Sequence, residues 1–509
     1  MTCGLRFKGE GVAVGMVVRV DGGRGVNDSV TESAVGVGVS GVGEAGSSAG
    51  VKVAHAEEMM RHVINSMGLV RVEAMWEWYH TRLSQNKQGI MSLQNNERHD
   101  PYAALRNRDF RLLLTGRFIT SFGSEMLSFA IGWELWLRTH QAFVLGMVGL
   151  VQVIPVILLS LPAGHVADQY NRKRIVLITE LFFGLCVLGL GWLSYTKGPL
   201  VLIYALLLGI GIARAFNDPA SSTLLPQTVS PELFSNAATW STSTWQFASI
   251  TGPALAGLLI GFFNSVTFIY IFDALAAIVF CVFLALIKGR ELALAQKSAT
   301  WKSLTEGFKF MRNTKVILAA ITLDMFAVLF GGAVALLPIY ATDILKVGAQ
   351  GLGILRAAPS IGALVMAFLI AHLPPMKNAG RTLLLSVTGF GLATIVFGLS
   401  TSFLLSLAML AFLGAMDNIS VVIRGTLLLT QTPDTMRGRI SAVNSIFIGV
   451  SNELGSFESG LAASLFGPLI AVVAGGVGTI LVVLIVARAW PEMGQLKTLN
   501  ADAPVHELV

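Results

Sequence analysis

The residues in this chain that could do chemistry are charged side chains set inside long apolar stretches. Glu125, Arg214, Asp324 and Asp417 each lie within such a stretch. Runs of about twenty apolar residues cross a bilayer as helices, and a charge at the centre of one costs roughly 2.5–3.5 kcal/mol on insertion scales. Each charge therefore needs a water-filled cavity, an opposite partner or a function. Such charged side chains could bind protons or recognise a charged solute.

The composition of the whole chain is that of a membrane protein. Its 509 residues are 54% hydrophobic and 13% charged, whereas soluble domains have about 25% charged residues, and its mean hydropathy is +0.68. The net charge of +6 comes from cations in short loops beside the apolar runs, a distribution typical of membrane orientation signals. We therefore expect the lipid bilayer as a partner and no nucleic acid.

Twelve apolar spans follow one another from residue 112 onward. They cover residues 112–137, 143–163, 175–195, 199–221, 236–261, 266–287, 316–341, 350–372, 382–399, 402–423, 440–465 and 467–488. Alternate loops are rich in Lys and Arg, including Arg172, Lys173 and Arg174 between spans 2 and 3. Because short basic loops stay in the cytoplasm, we expect both termini on the cytoplasmic side.

The second half of the chain repeats the first at a shift of 203–206 residues. Gly149 and Gly353 occupy matching positions in spans 2 and 8, and Gly257 and Gly460 in spans 5 and 11. Since six spans return to the same side, the two halves share one orientation, which is the parallel-repeat arrangement of a transporter class. The predicted fold is an all-α membrane protein of twelve helices in two six-helix bundles.

The predicted domains follow from this repeat. They are a low-complexity, disordered N-terminal extension at 1–100, a first bundle at 101–287, a cytoplasmic linker at 288–314, a second bundle at 315–490 and a cytoplasmic tail at 491–509. The extension is rich in Gly, Val and Ser. It lacks the basic and apolar segments of a signal peptide, and the polar leader from Met91 onward makes a later start of translation an expectation.

Two groups of residues are candidates for the functional site. The proton-coupling candidates are Glu125, Arg214, Asp218 and Asp324, and the substrate-cavity candidates are Arg117, Trp240, Trp245, Gln246, Asp417 and Glu453. Glu125 leads the first group, because it lies near mid-span beside Gly123-Ser124 without a cation one turn away. The alternative for the charges is structural ion pairing, as between Arg214 and Asp218 on one helix face. The alternative for the tryptophans is an interfacial aromatic belt.

The energy source is expected to be an ion gradient. No phosphate-binding loop of the G-x-x-x-x-G-K-[ST] type occurs in the sequence. The eight His and three Cys residues show no metal-ligand spacing. We expect no cofactor, no metal and no catalysis.

Three sets of residues resemble a known family. Gly164-x-x-x-Asp168 followed by Arg172-Lys173 resembles the loop signature of the major facilitator superfamily, and Gly252, Pro253 and Gly257 resemble its antiporter signature. Residues 105–111, 213–220 and 436–444 resemble the bacterial branch that includes the enterobactin exporter. Two departures are Gln169 and Asn171 in the loop, for a cation and a glycine, and Ala256 for a glycine in the antiporter signature.

The resemblance implies a cavity lined by spans 1, 4, 7 and 10, a coupling role for Arg214, and export driven by proton entry. The predicted protein is thus a monomeric secondary transporter in the bacterial inner membrane, exporting a small amphipathic siderophore, metabolite or drug by proton antiport. The alternatives are a lysophospholipid flippase or importer, and a membrane sensor that no longer transports. For the loop with Gly164, Asp168, Arg172 and Lys173, we predict a gate in which Asp168 meets the start of span 11 near Met436–Arg439, where the free N–H groups of a helix favour an anion.

Overall fold

The computed structural model describes residues 2–9, 12–19, 100–288, 301–374, 376–433 and 436–496. Within these ranges, twelve long helices occupy the positions of the twelve predicted spans. In the first half they are α1 (Arg108–Thr139), α2 (Ala142–Gln169), α3 (Arg172–Thr196), α4 (Leu200–Ser221), α5 (Phe234–Phe263) and α6 (Thr267–Leu286). In the second half they are α7 (Lys315–Ile344, with a 3₁₀ turn at Gly332–Leu336 and a π turn at Tyr340–Ile344), α8 (Gly348–His372), α9 (Ala379–Leu399), α10 (Phe403–Thr430), α11 (Arg437–Phe466) and α12 (Pro468–Ala489).

Ten of these helices, among the residues described, are long and apolar enough to cross a membrane. The exceptions are α1 and α11. Their mean hydropathy is lowered by charged residues within the helix, such as Glu125 and Glu134 in α1 and Glu453 and Glu458 in α11. Both helices lie inside the bundle, where such side chains can meet a partner or a cavity instead of lipid.

The helix ends repeat along with the helices. Asn107 caps α1 by accepting a hydrogen bond from the backbone N–H of Asp109 at 2.9 Å, which satisfies one free donor of the first turn. His140 after α1 and Lys346 after α7 both adopt the left-handed conformation, at φ 48° and 56°. They are 206 residues apart, so the turn between the first two helices has the same backbone conformation in each half.

The two halves join through two symmetric helix pairs. Helix α2 packs along α11, and α5 packs along α8. We call the end of the bundle that bears the Arg172–Lys173 loop the basic end, and the end that bears the α1–α2 turn the opposite end. Toward the opposite end the backbones touch: a Cβ added to Gly460 would lie 2.5 Å from the Cα of Gly146, and one added to Gly257 would lie 2.5 Å from the carbonyl oxygen of Ala349. Small residues allow this approach, as they do in membrane helix pairs generally.

A hydrogen bond locates the symmetry axis. The Nε1–H of Trp136 in α1 donates to Oγ1 of Thr342 in α7 at 2.7 Å. These residues are 206 positions apart, so they are equivalent in the repeat. Equivalent residues of two halves related by a two-fold axis can touch only beside that axis. The contact therefore closes the opposite end at the centre of the bundle.

In each half a polar bridge ties the first helix to the fourth. The guanidinium of Arg117 in α1 donates to the hydroxyl of Ser221 in α4 at 2.8 Å and to its backbone carbonyl. In the second half Asp324 of α7 forms a buried ion pair with Arg424 of α10, which stands 203 residues after Ser221. Removing one partner of such a pair leaves a buried charge, at a cost of about 3–5 kcal/mol. Asp324 and Arg424 therefore depend on each other inside the second bundle.

Outside the long helices, the structure describes a hairpin near the N-terminus and a helix in the linker. Thr2–Gly9 and Val12–Arg19 form an antiparallel hairpin at a place where the sequence analysis predicts no regular structure; the Val-rich second strand has high β propensity. Residues 20–99 lie outside the described residues, so the predicted disorder there stays a prediction. The linker contains a helix, Trp301–Asn313, whose Glu306 pairs with Arg439 of α11 at 2.6 Å.

The start of the predicted tail is held against the second bundle. A short helix at Pro491–Gln495 brings Glu492 to Lys315, with an Oε1–Nζ distance of 2.9 Å. This hydrogen bond from Lys315 lowers the pKa of the Glu492 carboxyl. The predicted domain boundaries remain predictions.

The glycine contact between the halves generates a stability prediction. Gly460→Ala places a methyl group against the backbone of Gly146, and overpacking of this kind costs about 1–3 kcal/mol. We expect a lower apparent melting temperature of the purified protein in detergent, followed by tryptophan fluorescence. The matched control is Gly449→Ala in the same helix, where an added Cβ meets nothing within 4 Å. Equal melting temperatures for the two variants would contradict the close packing.

Candidate functional site

A central cavity of about 580 Å³ lies between the two halves. Its lining comes from both bundles: α1, α2, α4 and α5 on one side, and α7, α8, α9, α10 and α11 on the other. The resemblance implied spans 1, 4, 7 and 10, and all four contribute. The volume falls within the range of roughly 300–1,000 Å³ typical of small-molecule sites.

Four charged residues line this cavity, two of each sign. They are Arg214 on α4, Arg356 on α8, Asp417 on α10 and Glu453 on α11. Arg214 and Asp417 are 203 residues apart and thus occupy equivalent positions in the two halves. The repeat therefore places opposite charges on facing walls, which gives the cavity an electrical polarity across the symmetry axis.

Arg356 also connects the halves. Its Nη2 donates to Oγ of Ser128 on α1 at 2.6 Å. The amide Nε2 of Gln246 on α5 makes a second connection, donating to the carbonyl of Ser360 on α8 at 3.0 Å. Both bonds join helices of different bundles and line the cavity, so a polar solute entering it competes directly with contacts that hold the halves together.

Arg214 is the electrostatic centre of the first half. It interacts through space with Glu125 on α1 and with Glu453 on α11. It also attracts Asp218, four residues along its own helix, but among the described residues the two form no ion pair. The cation is thus shared among several carboxylates instead of being committed to one, which leaves it available to a ligand.

The two candidate tryptophans lie in different places. Trp245 lines the cavity and is 53% exposed. Trp240 is outside the lining, where its Nε1–H donates to the carbonyl of Pro101 at 2.9 Å and its ring lies 5.9 Å from that of Tyr102. The two have similar neighbours in sequence. They differ in which side of α5 each occupies, and therefore in what each contacts.

The remaining predicted residues are distributed around the cavity. Arg214, Trp245, Gln246, Asp417 and Glu453 line it. Glu125 is partly buried against α5, where a Cβ on Gly252 would lie 2.8 Å from its own Cβ. Arg117 and Asp324 lie outside the lining in the polar bridges described above, and Asp218 is exposed near the end of α4.

The antiporter-type signature contributes backbone shape. Gly252 and Pro253 are buried in α5. Gly257 packs on α8, and a Cβ added to Gly353 would lie 2.7 Å from the carbonyl of Pro253. These residues shape the contact between α5 and α8 that lies between the cavity and the opposite end.

The predicted gating loop is anchored to its own half. Arg172 lies 3.8 Å from Asp168, and its Nε donates to the carbonyl of Ala167 at 3.3 Å. Lys173 donates to the carbonyls of Ala285 and Ile287 at 2.9 and 2.7 Å, which caps the end of α6. Gly164 lies within α2 and has open space beside it. The contact predicted between Asp168 and the start of α11 stays a prediction.

Sequence reasoning missed several polar residues of the lining. They are Ser128, Gln152, Ser360, Asn418, Asn452 and Ser456, together with the charged Arg356. A signal for two of them was available, because Gln152 and Arg356 stand 204 residues apart at equivalent positions of α2 and α8. The others are small polar residues in mid-helix, whose usual explanation is local bonding to the helix backbone.

Comparison with known proteins agrees with this geometry. Residues 99–507 match the family model described as transmembrane secretion effector. The enterobactin exporter of Citrobacter koseri is 26% identical over 397 residues, covering 78% of this chain and 94% of that one. That of Shigella boydii is 25% identical over 374 residues, covering 73% and 89%.

Solved structures show the same fold at low identity. A nucleoside transporter superposes with a TM-score of 0.60 at 13% identity, covering 76% of this chain and 99% of its own. A bacterial homologue of the lysosomal transporter Spinster, in an inward-facing conformation, gives 0.60 at 14%, covering 76% and 96%. Together with the two six-helix bundles and the cavity between them, these matches show that the chain belongs to the transmembrane secretion effector family of major facilitator transporters.

Proposed function

We propose that the protein is a secondary active exporter of small amphipathic molecules in the bacterial inner membrane. The observation that carries the proposal is the cavity between the halves. It combines two arginines, two carboxylates and an exposed tryptophan with close backbone contact at the opposite end. A cavity closed at one end and placed on a two-fold axis is what alternating access requires.

The orientation proposed for the bundle follows from its loops. Arg172, Lys173, Lys315 and Arg439 all lie at the basic end, and short basic loops stay in the cytoplasm. Both termini are then cytoplasmic. Since the halves touch toward the opposite end, the conformation described here is the one closed to the outside.

The substrate class follows from the lining. Trp245 and Phe390 offer aromatic surface, while Arg214, Asp417 and Glu453 offer charges of both signs. A ring-bearing solute with polar groups at its edge satisfies both. The enterobactin exporters among the relatives make a siderophore or a similar secreted aromatic metabolite the first class to test.

The proposed driving force is proton entry in exchange for substrate. Glu125 and Glu453 share the field of Arg214, so a proton on one carboxylate alters how Arg214 engages the other. A carboxylate in a partly dry cavity binds and releases protons as access alternates. Glu125 is the foremost coupling candidate in this scheme, with Arg214 as its partner.

Counterflow in proteoliposomes tests the transport activity. Vesicles loaded with unlabelled enterobactin should accumulate radiolabelled enterobactin from outside, and vesicles without protein should not. Trp245→Ala should raise the half-saturation concentration about 3- to 10-fold, because one aromatic contact is worth about 0.5–1.5 kcal/mol. Trp240→Ala, in the same helix but outside the cavity, is the matched control and should behave as the unchanged protein. An absence of counterflow with enterobactin and with a panel of other amphipathic aromatic solutes would favour a sensor over a transporter.

Proton coupling is tested with a carboxylate variant. Glu125→Gln should abolish uphill, pH-gradient-driven accumulation in the same vesicles, while downhill counterflow continues, because the amide cannot carry a proton through the cycle. The control is Glu492→Gln at the exposed tail contact with Lys315, which should leave both fluxes unchanged. Unaltered gradient-driven transport by Glu125→Gln would remove Glu125 from the mechanism.

A further inference from the structure

One fully buried carboxylate among the described residues of the first bundle has no hydrogen-bond partner. Asp273 lies in the middle of α6 with 1% of its surface exposed, and neither of its carboxylate oxygens has a hydrogen-bond partner among the described residues. Its side chain packs directly on the backbone of Gly123 in α1, so closely that a Cβ there would overlap it. The position requires glycine opposite a carboxylate, which is an unusual use of an interior site.

Two other buried acids and the half-buried Glu180, all within the described residues, have partners, and Asp324 is paired with Arg424 as described above. Glu134 pairs with Arg138 at 2.5 Å and accepts a hydrogen bond from the hydroxyl of Tyr270 at 2.6 Å. Glu180 accepts a hydrogen bond from Nδ2 of Asn217 at 2.8 Å. An ionised carboxylate buried without such partners is far more costly than a neutral one. Burial without a partner therefore favours the neutral, protonated form of Asp273.

The charges around Asp273 act in opposite directions. Helix α6 packs on α1 and α3. Glu180 on α3 repels the ionised form of Asp273, and Arg214 on α4 attracts it. Glu180 in turn interacts with Arg117 on α1 and with Asp218 on α4. The other charged groups on α1 are Glu125, which faces Arg214 and Arg356, and Glu134 with its own partners.

We propose that Asp273 is a proton-binding site separate from the substrate cavity, and that Glu180, held in place by Asn217, and Asp218 form the route by which its proton reaches the basic end. Glu180 and Asn217 are hydrogen-bonded to each other, and Asp218 is exposed at the end of α4. The step is the binding of one proton to the Asp273 carboxylate and its later return to water through these groups.

A proton fits this site better than a metal cation does. Cations such as Ca²⁺ take six to eight oxygen ligands, whereas the immediate neighbour of Asp273 is the carbon of a glycine. Within the ranges that the structure describes, no three metal-ligating side chains converge. A proton needs only the carboxylate itself.

Arg214 links this site to the cavity. It interacts with Asp273 on one side and with Glu453 on the other. When a substrate group binds to Glu453, Arg214 interacts less with Glu453 and more with Asp273. The ionised form of Asp273 is then stabilised, and its proton is released. Substrate binding and proton release are thereby linked with the sign that antiport requires. As a coupling device the site rests on the proposed antiport, whereas proton binding by Asp273 does not.

Infrared spectroscopy of the full chain in proteoliposomes, without substrate, tests the proposal. At neutral pH the protein should show the C=O stretching band of a neutral carboxylic acid, shifted in D₂O, and Asp273→Asn should lose it. The control is Glu492→Gln at the exposed tail contact, because the Glu492 carboxylate is paired with Lys315, which lowers its pKa, and contributes no such band. An unchanged band in Asp273→Asn would overturn the proposal.

A second variant covers the case in which Asp273→Asn fails to fold. Glu180→Gln removes a repelling charge, so ionised Asp273 becomes easier to form and the band should disappear at a lower pH than in the unchanged protein. A band with the same pH dependence in Glu180→Gln would contradict the interaction of Glu180 with Asp273 on which the route depends. If enterobactin counterflow is absent but the band is lost in Asp273→Asn and shifted in Glu180→Gln, the proposed transport is contradicted and proton binding by Asp273 is supported.

Discussion

The structure depends on one constraint, which is that a charge inside an apolar helix bundle must meet a partner or water. Arg117, Glu134 and Asp324 meet protein partners within their own half. Arg214, Arg356, Asp417 and Glu453 meet the cavity between the halves. The first group holds each bundle together, and the second group makes the space between the bundles chemically selective. Asp273 belongs to neither group, which is why it stands out.

The duplication turns this constraint into a mechanism. Equivalent positions in the two halves keep their geometry while their chemistry diverges: Arg214 faces Asp417, Gln152 corresponds to Arg356, and the Arg117–Ser221 bridge corresponds to the Asp324–Arg424 pair. The common backbone preserves a two-fold axis, marked by the contact of Trp136 with Thr342. The divergent side chains give one half the titratable cluster and the other half a strong structural ion pair. The two halves therefore share a backbone arrangement but differ in the chemistry of their side chains.

Much of the fold could be predicted from the sequence. Spans of apolar residues must be helices in a bilayer, because every backbone donor and acceptor has to be satisfied within the span, and the positions of all twelve helices agree with that expectation. The repeat predicted the parallel halves, since paired glycines such as Gly257 and Gly460 recur at one offset. The hairpin at residues 2–19 was not predicted, because alternating valines in a glycine-rich segment also fit a disordered chain.

The site was harder to predict than the fold. A charge in a span indicates that a partner or a cavity exists, but not which of the two, so Asp324 and Asp417 looked alike in sequence. Trp240 and Trp245 differ only by the direction in which each leaves α5. Those distinctions depend on the rotation of each helix about its axis, which is decided by packing against the neighbours and not by local pattern. The unpaired state of Asp273 likewise follows from the close approach of Gly123, a contact between distant parts of the chain.

The central claim is that the halves pivot about the cavity, so that one end closes as the other opens. It is tested most directly by distances between spin labels in proteoliposomes, in a variant whose three native cysteines are replaced. One labelled pair is Tyr170 with Leu373 at the basic end and the other is Tyr195 with Leu399 at the opposite end; all four side chains are exposed, and each pair joins near-equivalent positions. Because low pH favours protonated Asp273, and with it the conformation described here, the account predicts that lowering the pH lengthens the first distance and shortens the second in the same population of molecules. Two distances that stay constant, or that change in the same direction, would contradict it.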